Sequence, residues 1–262
     1  MHQYLFFIGN FPIRLYGIFF SLGIISGCIT AYFLLKKDRR GWESHMFDLG
    51  LVIAFAGIVG GRLWDVFFFD WEYYHNHLLE IPYIWQGGMA IQGGIIFACI
   101  AAYFYLKKHQ IPVLPFADTV TPGIILGQAV GRIANFMNGD AFGHPTGQDF
   151  GLLYPDTTLA YHTYGAQPLW PAEVWECQGD LLIFVLLLWY GCKTRAEGTT
   201  FCLYIMLYSL VRFFLENYRG DYGTLALGLK SAQLTSLTAF AGAFILFLYF
   251  HFECKSKSGI SE

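Results

Sequence analysis

The sequence predicts an all-α, polytopic membrane protein with about seven transmembrane helices, and three observations lead to that fold class. Of the 262 residues, 55% are apolar and only 13% are charged, and the mean hydropathy is +0.44. A soluble domain carries about 25% charged residues. Apolar stretches of about 20 residues, the length that crosses a bilayer, recur along the chain. Lysine and arginine collect in alternate connections between these stretches.

Seven apolar stretches are long enough to cross a bilayer. They run over 16–35, 47–69, 88–106, 113–136, 173–191, 199–218 and 232–251. A basic cluster at 36–40 follows the first stretch rather than preceding it, so we expect no cleavable signal peptide. No internal repeat interrupts this pattern, and residues 1–262 are expected to form one membrane domain.

The basic residues predict the orientation. They cluster after the first, third, fifth and seventh stretches, whereas the opposite side holds only Arg219 and Lys230. Cytoplasmic connections carry the excess of lysine and arginine. The N-terminus is therefore expected outside and the C-terminus in the cytoplasm. This orientation makes the long connection 137–172, rich in glycine, proline and tyrosine, an ordered external cap.

The fourth stretch ends in a polar segment, residues 131–143, with the sequence GRIANFMNGDAFG. An arginine at bilayer depth costs roughly 2.5–3.5 kcal/mol on insertion scales, so it usually marks function. Arg132 therefore either grips an anionic group at the outer membrane boundary or reaches the interface or a carboxylate for structural reasons. The amides and the acid that follow it favour anion binding. The glycines at 123, 127 and 131 predict a close helix contact.

Other charged residues share single helical faces. In the sixth stretch Arg212 and Glu216 either neutralise one another or line a polar cavity with Tyr208. In the second, Arg62 and Asp65 either form an intrahelical pair or serve such a cavity. The fifth stretch opens with three acids that cannot face lipid, and we expect them to lie opposite the arginines: Glu173, Glu176 and Asp180.

These residues indicate the chemistry of the ligand. Guanidinium groups from separate stretches suit a phosphate, which they bind in bidentate fashion. Near the outer leaflet, the natural anion is a phospholipid head group. The six cysteines have no metal-binding spacing and are expected to be free thiols. We expect no metal, no soluble cofactor and no nucleic acid partner.

The polar segment resembles the signature of the bacterial prolipoprotein diacylglyceryl transferase family. Further matching segments occur in the same order at 13–17, 60–63, 85–89 and 208–219. The resemblance implies a multi-pass enzyme of the bacterial plasma membrane. It would transfer the diacylglyceryl group of phosphatidylglycerol, a membrane lipid, to the lipobox cysteine of a preprolipoprotein, with release of glycerol 1-phosphate. The nucleophile belongs to the substrate, so the enzyme needs no cysteine of its own.

The resemblance also implies roles for individual residues. Arg132 falls on the family's phosphatidylglycerol-binding arginine, and Arg212 falls on its second essential arginine. The implied catalytic residues are Tyr16, Asn135, Asp140, Arg212 and Glu216. The implied substrate-binding residues are Gln92, Arg132, Asn138, Gly143 and Tyr208. We expect Asp140, or else Glu216, to accept the thiol proton.

The chain departs from the family pattern in ways that leave the general base open. The family's histidine in Gly-Gly-x-x-x-His-Gly-Gly is Gln92, which cannot act as a base. The family's Asn-x-Glu glutamate is Asp140. Its His-Pro-x-Gln-Leu-Tyr-Glu segment appears at 170–176 with only the proline and the final glutamate kept. The alternative is therefore a transporter or binding protein for an anionic lipid or metabolite. A homologue that alkylates another thiol is a third hypothesis.

Overall fold

The computed structural model describes residues 3–9, 11–191, 196–221 and 228–258. A small antiparallel hairpin comes first, with strands β1 (Tyr4–Ile8) and β2 (Phe11–Arg14). The helices are α1 (Leu15–Asp38), α2 (Met46–Trp64), α3 (Trp71–Tyr74), α4 (Ile91–Lys108), α5 (Val113–Asn138), α6 (Leu159–Tyr164), α7 (Ala172–Gly191), α8 (Thr199–Leu215) and α9 (Ser231–Ser258). The structure is thus predominantly helical.

Within the described ranges, five helical segments are long and apolar enough to cross a membrane, which confirms a polytopic membrane protein. They are Leu15–Asp38, Trp42–Phe69, Val113–Asn138, Thr199–Tyr218 and Ser231–Glu253. Helices α4 and α7 coincide with the other two predicted stretches and have 18 and 20 residues. The crossing of the membrane by α4 and α7, and the orientation of the chain, stay predictions.

The hairpin before α1 is a departure from the all-α prediction. Its strands have only five and four residues, joined through a turn that contains Gly9 at a φ of 59°. Strands this short lie below the length at which hydropathy distinguishes them from a helix. The Gln3 side-chain amide donates to the backbone oxygens of Asn138 (3.0 Å) and Thr157 (3.2 Å). The hairpin therefore ties the start of α1 to the end of α5.

The chain divides into two compact units, of which the smaller is Leu35–Phe116. In this unit α2 packs on α4 through glycines: a Cβ added at Gly60 would lie 2.6 Å from the Gly93 oxygen. Arg62 lies at the C-terminal end of α2 and is 4% exposed. Its guanidinium donates to backbone oxygens of the chain that leads into α4 at 2.7–3.1 Å: those of Glu80, Ile81, Gly87 and Gly88.

In the other unit, α1 and α5 meet through the predicted glycine stripe. A Cβ at Gly23 would lie 2.8 Å from the Gly127 oxygen, and one at Gly27 equally close to the Gly123 oxygen. The third glycine of the stripe, Gly131, has no neighbour within 4 Å of an added Cβ. The helix contact therefore requires a residue without a side chain at Gly123 and Gly127, whereas at Gly131 only the backbone nitrogen approaches α1, 3.6 Å from a Cβ built at Gly23.

Helices α5 and α8 run parallel, because their starts and their ends meet in the same order. Near the start of α5, the carboxylate of Asp118 accepts the backbone amides of Gly198 (2.7 Å) and Phe201 (2.8 Å) at the start of α8. This carboxylate satisfies amides that a helix start leaves unpaired. Further along, the Tyr204 hydroxyl donates to the Gln128 side chain (2.7 Å). These contacts bring the polar C-terminal parts of both helices together.

The connection between α5 and α7 is ordered around its own small apolar core. That core contains Phe142, Tyr154, Ala160 and Leu169. The Tyr154 hydroxyl donates to the carboxyl group of Glu173 in the first turn of α7. Burial, and then the neighbouring Glu173, raise the pKa of Tyr154. The connection is therefore packed onto α7 as an ordered cap, and its external position stays a prediction.

Candidate functional site

Three arginines converge on one buried carboxylate, that of Glu176 on α7. The Nη1 atom of Arg132 lies 2.8 Å from Oε2, and Nη1 of Arg212 contacts Oε1. The Nη1 atom of Arg219, which follows α8, lies 3.4 Å from each oxygen. Glu176 is only 3% exposed. Buried charges persist where they are paired, so this arrangement is one mutually stabilised cluster.

Each arginine also has an acid of its own. Arg132 Nε lies 4.0 Å from Asp180, and Arg212 Nη2 lies 2.9 Å from Glu216. Arg219 holds Asp221 through two of its nitrogens, with Nε at 2.9 Å from Oδ1. The Arg212–Glu216 contact is an ion pair without hydrogen-bond alignment, because neither Glu216 oxygen has a hydrogen-bond partner among the described residues.

A second group lies at the end of α5 and is built on Asp140. The amide of Asn135 donates to Oδ1 at 2.5 Å, and the amide of Asn138 donates to Oδ2 at 2.6 Å. Gly139, at a φ of 71°, ends the helix and turns the chain back so that the amide of Asp140 reaches the Asn135 oxygen (3.2 Å). A left-handed glycine commonly ends a helix in this way. The carboxylate of Asp140 is thus held from both sides.

The remaining predicted residues of this unit border the two groups. The Tyr208 hydroxyl accepts a hydrogen bond from Arg132 Nη2 at 3.4 Å. Tyr16, 36% exposed in the first turn of α1, lies within electrostatic range of Asp140 and Arg132. Gly143 pairs with Arg219 in an isolated antiparallel bridge.

The bridge at Gly143 requires a residue without a side chain. A Cβ there would lie 2.7 Å from the Trp170 Cβ, and one at Gly220 would lie 2.8 Å from the Gly143 oxygen. The close backbone approach holds the cap against the segment that carries Arg219.

The structure brings nine of the ten predicted site residues into the same unit. Gln92, an exposed residue in the first turn of α4, belongs to the unit Leu35–Phe116. Its assignment as a substrate-binding residue stays a prediction. Among the described residues, no three histidine, cysteine, aspartate or glutamate side chains are grouped as metal ligands would be.

Sequence reasoning missed some members of the site. It placed the acids of α7 opposite the arginines, and Glu176 and Asp180 do contact arginines there, whereas Glu173 accepts from Tyr154. It did not identify Glu176 as the partner that the arginines share. It also missed Lys230, whose Nζ donates to the backbone oxygens of Glu216 (2.9 Å) and Arg219 (2.5 Å). Burial lowers the pKa of Lys230, and Glu216 opposes that shift. The sequence did offer a signal: Arg219 and Lys230 are the two basic residues in the connections predicted to lie outside the membrane.

This fold and site define a polytopic membrane protein with a buried cluster of arginines and acids at the ends of its helices. The chain also matches the family model for prolipoprotein diacylglyceryl transferase over residues 3–249. It belongs to that family, which confirms the resemblance drawn from the motifs.

Individual relatives agree. The chain is 35% identical over 238 residues to the phosphatidylglycerol–prolipoprotein diacylglyceryl transferase of Clostridium botulinum (strain Langeland), covering 90% of this chain and 92% of the relative. It is 35% identical to the protein of that name from Staphylococcus saprophyticus, covering 88% and 82%. It is 36% identical to the one from Geobacillus kaustophilus, covering 88% and 86%.

Proposed function

We propose that this protein transfers the diacylglyceryl group of phosphatidylglycerol to the lipobox cysteine of a preprolipoprotein and releases glycerol 1-phosphate. Family membership supports the reaction class, and the names of the relatives supply the two substrates. The observation that carries the proposal is the meeting of Arg132 and Arg212, from different helices, at a single carboxylate. Two such guanidinium groups are suited to a phosphate.

The reaction needs stabilisation of the leaving group and a proton acceptor. The substrate sulfur forms a bond to a glycerol carbon, and the bond from that carbon to the phosphate oxygen breaks. The phosphate changes from a diester to a monoester and gains negative charge. Preorganised donors stabilise charge that develops in a transition state. A free thiol has a pKa of about 8.5, so a carboxylate that accepts its proton raises the fraction of reactive thiolate.

The site geometry supports distinct roles. Arg132 and Arg212 bind the phosphate, and Tyr208 orients Arg132 through its hydroxyl. Asp140 accepts the thiol proton, because its carboxylate is fixed by two amides without a cation bound to it among the described residues. Glu216 is the second candidate, but it is fully buried beside Arg212.

The remaining predicted residues complete the site. Asn135 and Asn138 position Asp140, and Gly143 permits the approach of the cap. Tyr16 contributes a hydrogen bond to the substrates, and Gln92, in the unit Leu35–Phe116, stays a predicted substrate-binding residue.

We propose further that all seven long helices cross the bacterial plasma membrane within one domain, with the N-terminus outside. The parallel course of α5 and α8 supports this topology, since the predicted orientation sends both helices outward. The acids of α7 also support it. Glu173, Glu176 and Asp180 are buried against polar partners or arginines, so α7 presents none of these charges to lipid.

The test is release of glycerol phosphate by purified protein mixed with phosphatidylglycerol and a lipobox peptide. We expect release by the wild type and by Arg40→Ala, an exposed arginine, and none by Arg132→Ala. Lipidation at the wild-type rate by Arg132→Ala would contradict the proposal.

A binding or transport function for an anionic lipid is the alternative, and Gln92 at the family's histidine position favours it. It predicts that the wild type binds phosphatidylglycerol in the same assay without releasing glycerol phosphate. Release with a rejected lipobox peptide would instead indicate another acceptor thiol.

A further inference from the structure

Glu176 lies at the point where three guanidinium groups meet. Each arginine reaches it with Nη1, and each directs other nitrogens to a separate acid. Glu176 is therefore the only described carboxylate that all three arginines share. If it left, each arginine would keep its own acid and would present one free Nη1 group to the same small volume.

Resting on the proposed function, we propose that Glu176 is a built-in competitor of the substrate phosphate. Its carboxylate and the phosphodiester of phosphatidylglycerol compete for the Nη1 groups of Arg132, Arg212 and Arg219. The bound lipid takes these three arginine contacts from Glu176, and Glu176 takes them back as the product phosphate leaves.

The chemistry of the two anions matches. A phosphodiester carries one negative charge and two non-bridging oxygens, as a carboxylate carries one charge and two oxygens. Arginine forks bind both kinds of anion in bidentate geometry. The acids that each arginine keeps, Asp180, Glu216 and Asp221, continue to neutralise the guanidinium groups. The exchange therefore needs no displacement of the helices.

This competition would increase the rate of product release. The product phosphate is a monoester with more negative charge than the substrate, so an uncontested arginine cluster would hold the product more tightly than the substrate. Glu176 is fixed on α7, one turn after the buried Glu173. Its carboxylate therefore stays close to the arginines and can displace the product phosphate. Removal of the competitor is thus expected to strengthen phosphate binding and to slow product release.

The test is isothermal titration of the purified full-length protein with dioctanoyl phosphatidylglycerol and, separately, with glycerol 1-phosphate. We expect Glu176→Gln to lower both dissociation constants by roughly tenfold, the effect of about one charge-assisted hydrogen bond. We also expect a lower kcat with burst kinetics. Tighter binding of the lipid alone would overturn the proposal, because it would locate the effect at the acyl chains rather than at the phosphate.

Glu173→Gln is the matched control. It removes a buried acid from the same helix that is bonded to Tyr154 and forms no ion pair with an arginine among the described residues. We expect its dissociation constants to stay within about twofold of the wild type. Equal tightening by both variants, or weaker binding by Glu176→Gln, would overturn the competition.

Glu176→Asp provides a second variant if the glutamine protein does not fold. Its shorter side chain cannot reach all three arginines, so an intermediate tightening is expected, and an unchanged or weaker affinity would contradict the competition. Wild-type release of glycerol phosphate together with weaker binding by these variants would overturn this inference alone. Absence of both release and binding in the wild type would overturn the proposed function as well.

Discussion

Arg62 and Arg132 both lie at the ends of membrane-type helices, but their surroundings differ. Arg62 is 4% exposed, donates to four backbone oxygens, and lies with its guanidinium 4.9 Å from the centre of the Tyr74 ring. Arg132 has an 18% exposed side chain, and its partners are carboxylates and a hydroxyl. Backbone oxygens cannot move away from their helix or turn, whereas a side-chain acid can yield to a ligand. The partners of Arg62 therefore indicate a structural role, and those of Arg132 agree with the phosphate-binding role that we propose for it.

The largest effect on activity is expected for Arg132. Arg132→Lys should lower kcat/KM for diacylglyceryl transfer by about 100-fold or more, because a point charge does not reproduce two directed donors. The measurement is peptide lipidation by mass spectrometry over a range of lipid concentrations. The unfolding temperature in detergent should stay close to that of the wild type, and a large drop in it would place Arg132 with Arg62 as a structural residue.

The second prediction asks which acid accepts the proton. Asp140→Asn keeps the shape of the side chain but removes the acceptor, and general-base catalysis contributes roughly 10²–10⁴-fold to a rate. We expect a loss of kcat in that range with little change in the affinity for phosphatidylglycerol. Glu216→Gln is the comparison variant. If it loses more of kcat than Asp140→Asn, the base is Glu216.

The structural side of the comparison predicts a change in stability. Arg62→Ala would leave four backbone oxygens and the buried Asp65 carboxylate, 3.9 Å away, without their donor. Removing one partner from a buried charged network costs about 3–5 kcal/mol. Thermal unfolding followed by tryptophan fluorescence should report a much lower midpoint. A folded variant with normal stability and no activity would show that Arg62 binds substrate.

The smallest expected effect concerns Lys230. Its ammonium group holds the two oxygens at the turn that carries Arg219, so Lys230→Met should raise KM for the lipid several-fold, on the order of one hydrogen bond, with kcat nearly unchanged. Lys230→Arg should recover most of the loss. A fall in kcat that arginine does not restore would contradict this positioning role.

Much of this molecule follows from local sequence, and the exceptions have physical causes. Hydropathy located the long helices, since apolar length is a local property. The spacing of Glu176 and Asp180 placed both acids on one face of α7, and the arginines of α5 and α8 contact that face. The shared role of Glu176 depends on three elements that meet only in the folded chain, so no spacing reveals it.

The exceptions at Arg62 and at the hairpin have the same cause. The main partners of Arg62 are backbone oxygens, which have no sequence signature, and its spacing from Asp65 predicted an intrahelical pair or a polar cavity rather than these contacts. The hairpin is held by the contacts of Gln3 with Asn138 and Thr157, residues far away in the chain.

The carboxylate of Asp118 on α5 accepts two backbone amides at the start of α8. It sets the rotational phase of α8 against α5, and each residue of a helix advances that phase by about 100°. One alanine inserted between Asp118 and Arg132 would therefore rotate the Arg132 side chain by about 100° around the axis of α5, away from Arg212 on α8. The charge of both helices would stay the same. The meeting of Arg132 and Arg212 at one carboxylate therefore depends on the rotational alignment of α5 and α8, which the Asp118 contacts fix at the N-terminal ends of both helices.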